Sequence, residues 1–149
     1  YFFIMRSMNS HLDFDLDLAK DQSDNNPVFY LQYAHARICN IIKHGADQGF
    51  QLTDNFDPGL LDKENEVKLM KVMSNFPVTM HTMLDTLEPQ IIANYLQTLA
   101  AQFHKFYGTC KVITENKELT QSRLGLILST KIILSTGLSI LGISAPEKM

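Results

Sequence analysis

The sequence predicts an all-α fold, a helical bundle of about five helices. Apolar residues recur at intervals of three and four along most of the chain, which is the spacing of one face of an α-helix. No segment predicts a strand of a sheet. The length of 149 residues suits one domain of ordinary size with a real hydrophobic core. These observations together favour a single bundle of helices.

The first predicted helix has clear start and stop signals. Asn26 suits the N-cap, Pro27 suits the first helical position, and Gly45 suits the position just past the end. Residues 46–59 are rich in turn formers and predict a loop. This helix is therefore the best delimited of the set.

Four further helices are expected after that loop. Their predicted ranges are roughly 61–74, a short helix from Pro77 that carries Leu87, 89–108 and 118–137. The last of these is apolar almost all round, which is typical of the central helix of a bundle. Its stretch 124–141 is interrupted by serine, threonine and lysine, so we expect it not to span a membrane.

Residues 1–25 are predicted to be a connector rather than part of the bundle. Asp13, Asp15 and Asp17 alternate as the first ligands of a calcium loop do, but Leu18 stands where that loop needs glycine and Asp24 where it needs glutamate. An extended acidic segment is the favoured interpretation. The chain begins without methionine, and we expect it to be part of a longer protein.

The first helix carries two distinct faces. Leu31 and Ile38 share one side, whereas Tyr30, Tyr33 and Arg37 cluster about a third of a turn away. Aromatic rings beside a guanidinium suit unstacked nucleobases and phosphates, through stacking, cation–π contact and bidentate hydrogen bonds. The alternative is a second packing face against another helix. Periodicity alone leaves both open.

The sequence lacks the usual signatures of catalysis and metal binding. No glycine-rich phosphate loop, HExxH motif or paired-cysteine spacing is present, and the two cysteines exclude a disulfide scaffold. His35 is interpreted as a hydrogen-bonded structural histidine. We therefore expect no catalytic residue, no metal site and no cofactor in this chain. The net charge of -3 argues against sequence-blind nucleic-acid binding but leaves room for a local cationic groove.

Two segments carry a family resemblance. FFIMRSMNSHLDFDLDLAKDQSDNNPVFYLQYAHARICNI near the start and RLGLILSTKIILSTGLSILGISAPEKM at the end resemble the C-terminal part of bacterial-type arginyl-tRNA synthetases. The resemblance covers the whole chain. The SHLDFDLDLA to QYAHAR block and the LGISAPEKM ending are specific, whereas residues 45–115 are only compatible with it.

That resemblance implies a DALR-type anticodon-binding domain over residues 26–149, with residues 1–25 as the connector from a catalytic domain. The parent would join arginine to its tRNA, using ATP and Mg²⁺ in that catalytic domain, whose signature motifs are not in this chain. The implied partners are the anticodon loop of tRNA-Arg and the parent's own catalytic domain. A cytoplasmic monomer without membrane contact is expected, and this fragment should be inactive by itself.

The resemblance also implies which residues bind. It places the anticodon contacts on the first helix and the terminal residue, namely Tyr30, Tyr33, Ala34, Arg37 and Met149. Lys148 stands where the family often has arginine and is a candidate phosphate contact. From the sequence, Arg123 and Lys131 are further candidates for phosphate contacts, with an ordinary solvated residue as the alternative for each. An alternative from another class is a non-catalytic helical module that recognises a partner helix through the same aromatic stripe.

Overall fold

The computed structural model describes residues 1–5, 14–51, 53 and 56–149. These ranges contain six α-helices and one 3-10 turn and no strand. The helices are α1 (Leu16–Lys20), α2 (Pro27–Asp47), α3 (Glu64–Ser74), α4 (Phe76–Thr86), α5 (Gln90–Thr109) and α6 (Lys117–Ile140), and the 3-10 turn is Pro58–Leu60. The all-α prediction is confirmed. Helices α2 to α6 are the five expected, and α1 is a short addition within the predicted connector.

Helix α2 begins as the sequence predicts but ends later. The Asn26 side chain accepts hydrogen bonds from the backbone N–H groups of Val28 (3.0 Å) and Phe29 (3.3 Å). The prediction that the helix ends before Gly45 is wrong. Gly45 is buried within the last turns and packs on Leu124 of α6, so its missing side chain permits close approach of two helices.

The other helix ends lie close to their predicted positions, with two corrections. Leu61 belongs to the turn before α3, because that helix starts at Glu64. Leu87 lies outside α4, and its left-handed backbone (φ 57°) ends the helix.

Helix α5 is the centre of the bundle. It packs against four helices, α2, α3, α4 and α6, whereas α6 packs against three helices, α2, α3 and α5, and against the 3-10 turn. The prediction that the last helix is the central one therefore needs correction. Side chains from all three long helices are fully buried, among them Leu31, Ile38, Leu96, Phe103, Phe106 and Leu134. Each such side chain contributes about 1.5–3 kcal/mol relative to an exposed one.

Helix α6 is apolar because it packs inside the bundle. By length and composition alone it is apolar enough to cross a membrane, so the expectation that its polar residues rule this out does not hold. Half of its apolar stretch is buried against neighbouring helices. At Gly137 a side-chain carbon would lie 2.6 Å from Leu96, so a larger residue there would force Leu96 to shift, and glycine allows this approach of α6 to α5.

A buried ion pair connects α6 to α3. Arg123 donates from Nε to Glu66 Oε1 (2.6 Å) and from a terminal nitrogen to the backbone oxygen of Lys111 (2.7 Å). Glu66 also accepts the backbone N–H of Lys63 (2.9 Å). Arg123 is only 2 % exposed and Glu66 is fully buried. The prediction that Arg123 contacts phosphate is therefore wrong, because its guanidinium is already bound inside the protein.

Loss of this buried guanidinium should strongly destabilise the fold. Arg123→Met leaves the Glu66 carboxylate buried without its cation, which typically costs about 3–5 kcal/mol. We expect a drop of that size in the free energy of unfolding, measured by urea denaturation. Lys68→Met, which removes the cation of the exposed pair with Glu64, is the matched control and should change little. Equal effects of the two substitutions would contradict this account.

Candidate nucleic-acid interface

An open groove lies between the C-terminal half of α2 and the end of α5. The segment 110–113, which follows α5, completes its far wall. Its volume is about 860 Å³. Sites for drug-sized ligands have volumes of about 300–1,000 Å³, so the groove can hold a group as large as a nucleotide.

One guanidinium and two aromatic rings form the centre of the groove. The guanidinium carbon of Arg37 lies 4.6 Å from the ring centre of Tyr33 and 5.2 Å from that of Tyr107. Arg37 also donates a hydrogen bond to the Tyr33 hydroxyl. The residues on α2 share one helix face, and Tyr107 comes from the last turn of α5. Two helices thus hold a planar cation between rings, as stacking requires.

Tyr30 and Ala34 do not line this groove. The ring of Tyr30 packs against the core and against His104, with ring centres 5.0 Å apart. Ala34 is 0 % exposed, so the prediction that it contacts RNA is wrong. Of the predicted stripe on α2, the structure brings Tyr33 and Arg37 together at the groove and places Tyr30 beside it.

The charged side-chain types in the groove lining are basic although the whole chain is acidic. Among the residues that the structure describes, its lining includes Arg37 and Lys111 and no aspartate or glutamate. The full lining is Tyr33, Ala36, Arg37, Asn40, Ile41, His44, Tyr107, Gly108, Thr109, Cys110, Lys111, Val112, Ile113 and Met149. The polar groups of Asn40 and His44 supply hydrogen-bonding partners along the same wall. An anionic backbone is therefore favoured here.

Sequence reasoning missed several of these residues. Asn40 and His44 follow Arg37 at intervals of three and four. Extending the predicted helix face beyond Arg37 would therefore have identified them. Tyr107 and Lys111 lie on another element. Helical periodicity on α2 carries no signal for them.

The C-terminal end of the chain returns to α2. After α6, Gly142 adopts a left-handed backbone (φ 69°), and the backbone N–H groups of Gly142 and Ile143 bond back to Ser139 and Leu138. This is the glycine-terminated cap that reverses chain direction. Residues 143–149, here called the C-terminal strap, then lie along α2. Met149 lines the groove and is 52 % exposed.

The two remaining phosphate candidates lie near the strap. Lys131 of α6 forms an ion pair with Glu147 at 3.3 Å. Partial burial lowers the pKa of Lys131, but its contacts with Cys39 and Glu147 outweigh burial and leave that pKa raised. Lys148 is exposed. A role for either in phosphate binding stays a prediction.

No group of three metal-ligating side chains occurs in the described ranges 1–5, 14–51, 53 and 56–149. Asp13, one of the three aspartates of the calcium alternative, lies outside those ranges. The Asp15 carboxylate caps α1, because it accepts the backbone N–H groups of Asp17 and Leu18 at 2.9 Å each.

Comparison with known proteins identifies the family. The sequence model of the DALR anticodon binding domain matches residues 31–149. The chain belongs to this family. The match covers every element that forms the groove, from α2 to the C-terminal strap.

Relatives of the chain carry one consistent name. Arginine–tRNA ligases from Desulforamulus reducens and Salinibacter ruber are 46 % and 44 % identical over the whole chain. The arginyl-tRNA synthetase structure from Thermus thermophilus superposes with a TM-score of 0.85 at 28 % identity, covering 99 % of this chain and 25 % of that one. The chain covers 27 % and 26 % of the two ligases, about a quarter of their length. The resemblance to arginyl-tRNA synthetases is therefore confirmed, and the match is to part of those proteins.

The stability of the DALR domain should depend on the protonation of His104. Burial first, and the charge of Arg37 second, lower the pKa of His104 below its ordinary value of 6.5, although Asp24 acts in the opposite direction. The unfolded chain therefore binds a proton at higher pH than the native protein does. Stability from this group is fully present above the unfolded pKa and is lost as the pH falls from there through the lower pKa of the folded protein.

We expect His104→Gln to lose less stability than the parent chain between about pH 7.5 and about pH 5.5. Urea denaturation of both proteins at each pH measures the difference. Identical losses in the two proteins would show that His104 does not contribute.

Proposed function

We propose that this chain binds the anticodon loop of a tRNA in the groove between α2 and α5, and that the tRNA is specific for arginine. The observation that carries the proposal is the planar cation of Arg37 beside two aromatic rings, in a groove without aspartate or glutamate among its described lining residues. The family match and the names of the relatives support the same function.

The groove suits single-stranded RNA by its chemistry. Loop bases are unstacked, so they can lie against Tyr107, Tyr33 or the guanidinium of Arg37. Lys111 at the rim supplies a cation for the sugar–phosphate backbone. The amide of Asn40 offers both a donor and an acceptor, which matches the mixed edge of a pyrimidine such as cytosine. Arginine tRNAs share cytosine at the middle anticodon position.

We also propose that the chain is the C-terminal part of an arginine–tRNA ligase. The parent would carry out the ATP-dependent ligation of arginine to tRNA-Arg, with ATP and Mg²⁺ bound in a catalytic domain that packs with this one. Similarity to such ligases over the whole chain supports this proposal. We propose that the parent is a monomer of the cytoplasm and acts without membrane contact.

The binding proposal is tested with an anticodon stem-loop RNA of tRNA-Arg. We expect salt-sensitive binding, because cations of the groove displace counterions from phosphates. Replacing the middle cytosine by uracil should weaken binding by roughly fivefold to a hundredfold, since a lost or mispaired edge contact costs about 1–3 kcal/mol. Fluorescence anisotropy at moderate salt measures both effects. Equal affinity for the stem-loop of an unrelated tRNA would argue against the proposal.

Removal of the Tyr33 ring should weaken RNA binding and leave the fold intact. We expect Tyr33→Ala to cost about 1–3 kcal/mol of binding, the usual contribution of one base stacked on an aromatic ring. Tyr95→Ala is the matched control, because Tyr95 is half-buried against α4, with its hydroxyl on the backbone oxygen of Val72, and lies outside the groove.

The control should lower the thermal midpoint without changing the affinity of the folded protein. The reverse pattern, in which Tyr33→Ala unfolds the chain and binding by the folded fraction is unchanged, would show that Tyr33 only packs.

A further inference from the structure

We propose that His35 is a positioning residue for RNA binding: it anchors the C-terminal strap to α2, so that Met149 is in place at the groove before RNA arrives. Gln32 and Lys131 act as secondary anchors. The inference rests on the proposed function and deepens it, because it names the residues that hold the terminal side chain at the groove.

The main contact is a part-buried hydrogen bond whose donor residue is buried. His35 Nδ1 donates to the backbone oxygen of Pro146 at 2.9 Å, and His35 is 2 % exposed. The His35 end of this bond is shielded from water, so breaking the bond would leave a buried N–H group without a partner. The prediction that His35 is a hydrogen-bonded structural histidine is confirmed by this contact, and the residue to which it bonds belongs to the strap.

Two exposed contacts lie on either side of that bond. Gln32 Nε2 donates to the backbone oxygen of Ser144 (2.9 Å) and to its hydroxyl (3.2 Å). Lys131 Nζ donates to Glu147 at 3.3 Å. Both contacts are open to water and should each contribute less than the His35 bond. The three contacts hold consecutive parts of the strap, at residues 144, 146 and 147.

The position of these anchors determines where Met149 lies. Met149 is three residues beyond Pro146, a reach of about 10 Å for extended chain. His35 is adjacent in sequence to Ala36, which lines the groove beside Met149. An anchor at Pro146 therefore confines the terminal side chain to the groove edge. Without it, the strap would have to lose its conformational freedom when RNA binds, which would weaken binding.

The contact can be tested first without RNA. Leucine at position 35 fills the buried site but removes the donor, whereas asparagine places an amide N–H close to the position of Nδ1. With ¹³C-methyl-methionine labelling, the Met149 signal should lie away from its random-coil position in the parent chain. The Met149 signal should move to the random-coil position in His35→Leu and return to the position of the parent chain in His35→Asn. An unchanged Met149 signal in His35→Leu would overturn the proposal.

RNA binding then tests whether His35 acts through Met149. If His35→Leu reduces the fraction of protein with the strap in place to about a tenth, the apparent affinity for the anticodon stem-loop falls about tenfold. In a Met149→Gly background the same substitution should have no further effect, because the side chain that it positions is gone. An equal loss in both backgrounds would show a merely structural role and overturn the proposal.

A second variant covers the case in which His35→Leu does not fold. The double substitution Gln32→Ala and Glu147→Ala removes the two exposed anchors and leaves the core untouched, so it should shift the Met149 signal partly toward random coil. No shift there would also count against the strap as an anchored element. If the parent chain does not bind the stem-loop at all, the proposed function fails, while the methyl signals still decide whether His35 places Met149.

Discussion

The structure depends on helix α2, because three sides of this helix contact three different parts of the protein. One side carries Leu31 and Ile38, which are fully buried against the bundle. A second side carries Tyr33 and Arg37 at the groove, and a third carries His35 under the C-terminal strap. The burial of the first side fixes the rotation of the helix. This rotation also places Tyr33 and Arg37 at the groove and His35 under the strap.

The interior of the protein also shapes the far wall of the groove. Arg123 bonds to Glu66 and to the backbone oxygen of Lys111, so the ion pair holds the segment that follows α5. A buried ion pair is weak evidence for stability, because desolvation offsets much of the attraction. Its effect here is to fix the position of Lys111. The buried cation of Arg123 thus fixes the position of Lys111, a residue that lines the groove.

The net charge of the chain therefore says little about its binding surface. Eleven carboxylates in residues 1–66 give the N-terminal half its acidic character. The groove, built from the end of α2, the end of α5 and the strap, has Arg37 and Lys111 in its described lining. Local field, not total charge, determines where an anionic ligand binds.

Much of the fold was readable from the sequence because helical periodicity and caps are local signals. Asn26 and Pro27 start α2 as predicted, and the aliphatic side of that helix is buried. The predictions that failed concern contacts between residues that are far apart in the sequence. Arg123 has the sequence appearance of a surface cation, but its partner Glu66 is 57 residues away. Ala34 and Tyr107 show the same limit, because no spacing along α2 shows which of its small residues the core covers or which ring α5 brings to the groove.

The central claim is that the anticodon lies in the groove between α2 and α5. A stem-loop of tRNA-Arg with 5-iodocytidine at the middle anticodon position, irradiated in complex with the chain and analysed by mass spectrometry, tests it most directly. Crosslinks to Tyr33, Tyr107 or Met149 are the expected result. Crosslinks confined to α4, which contributes no residue to the groove lining, would contradict the account.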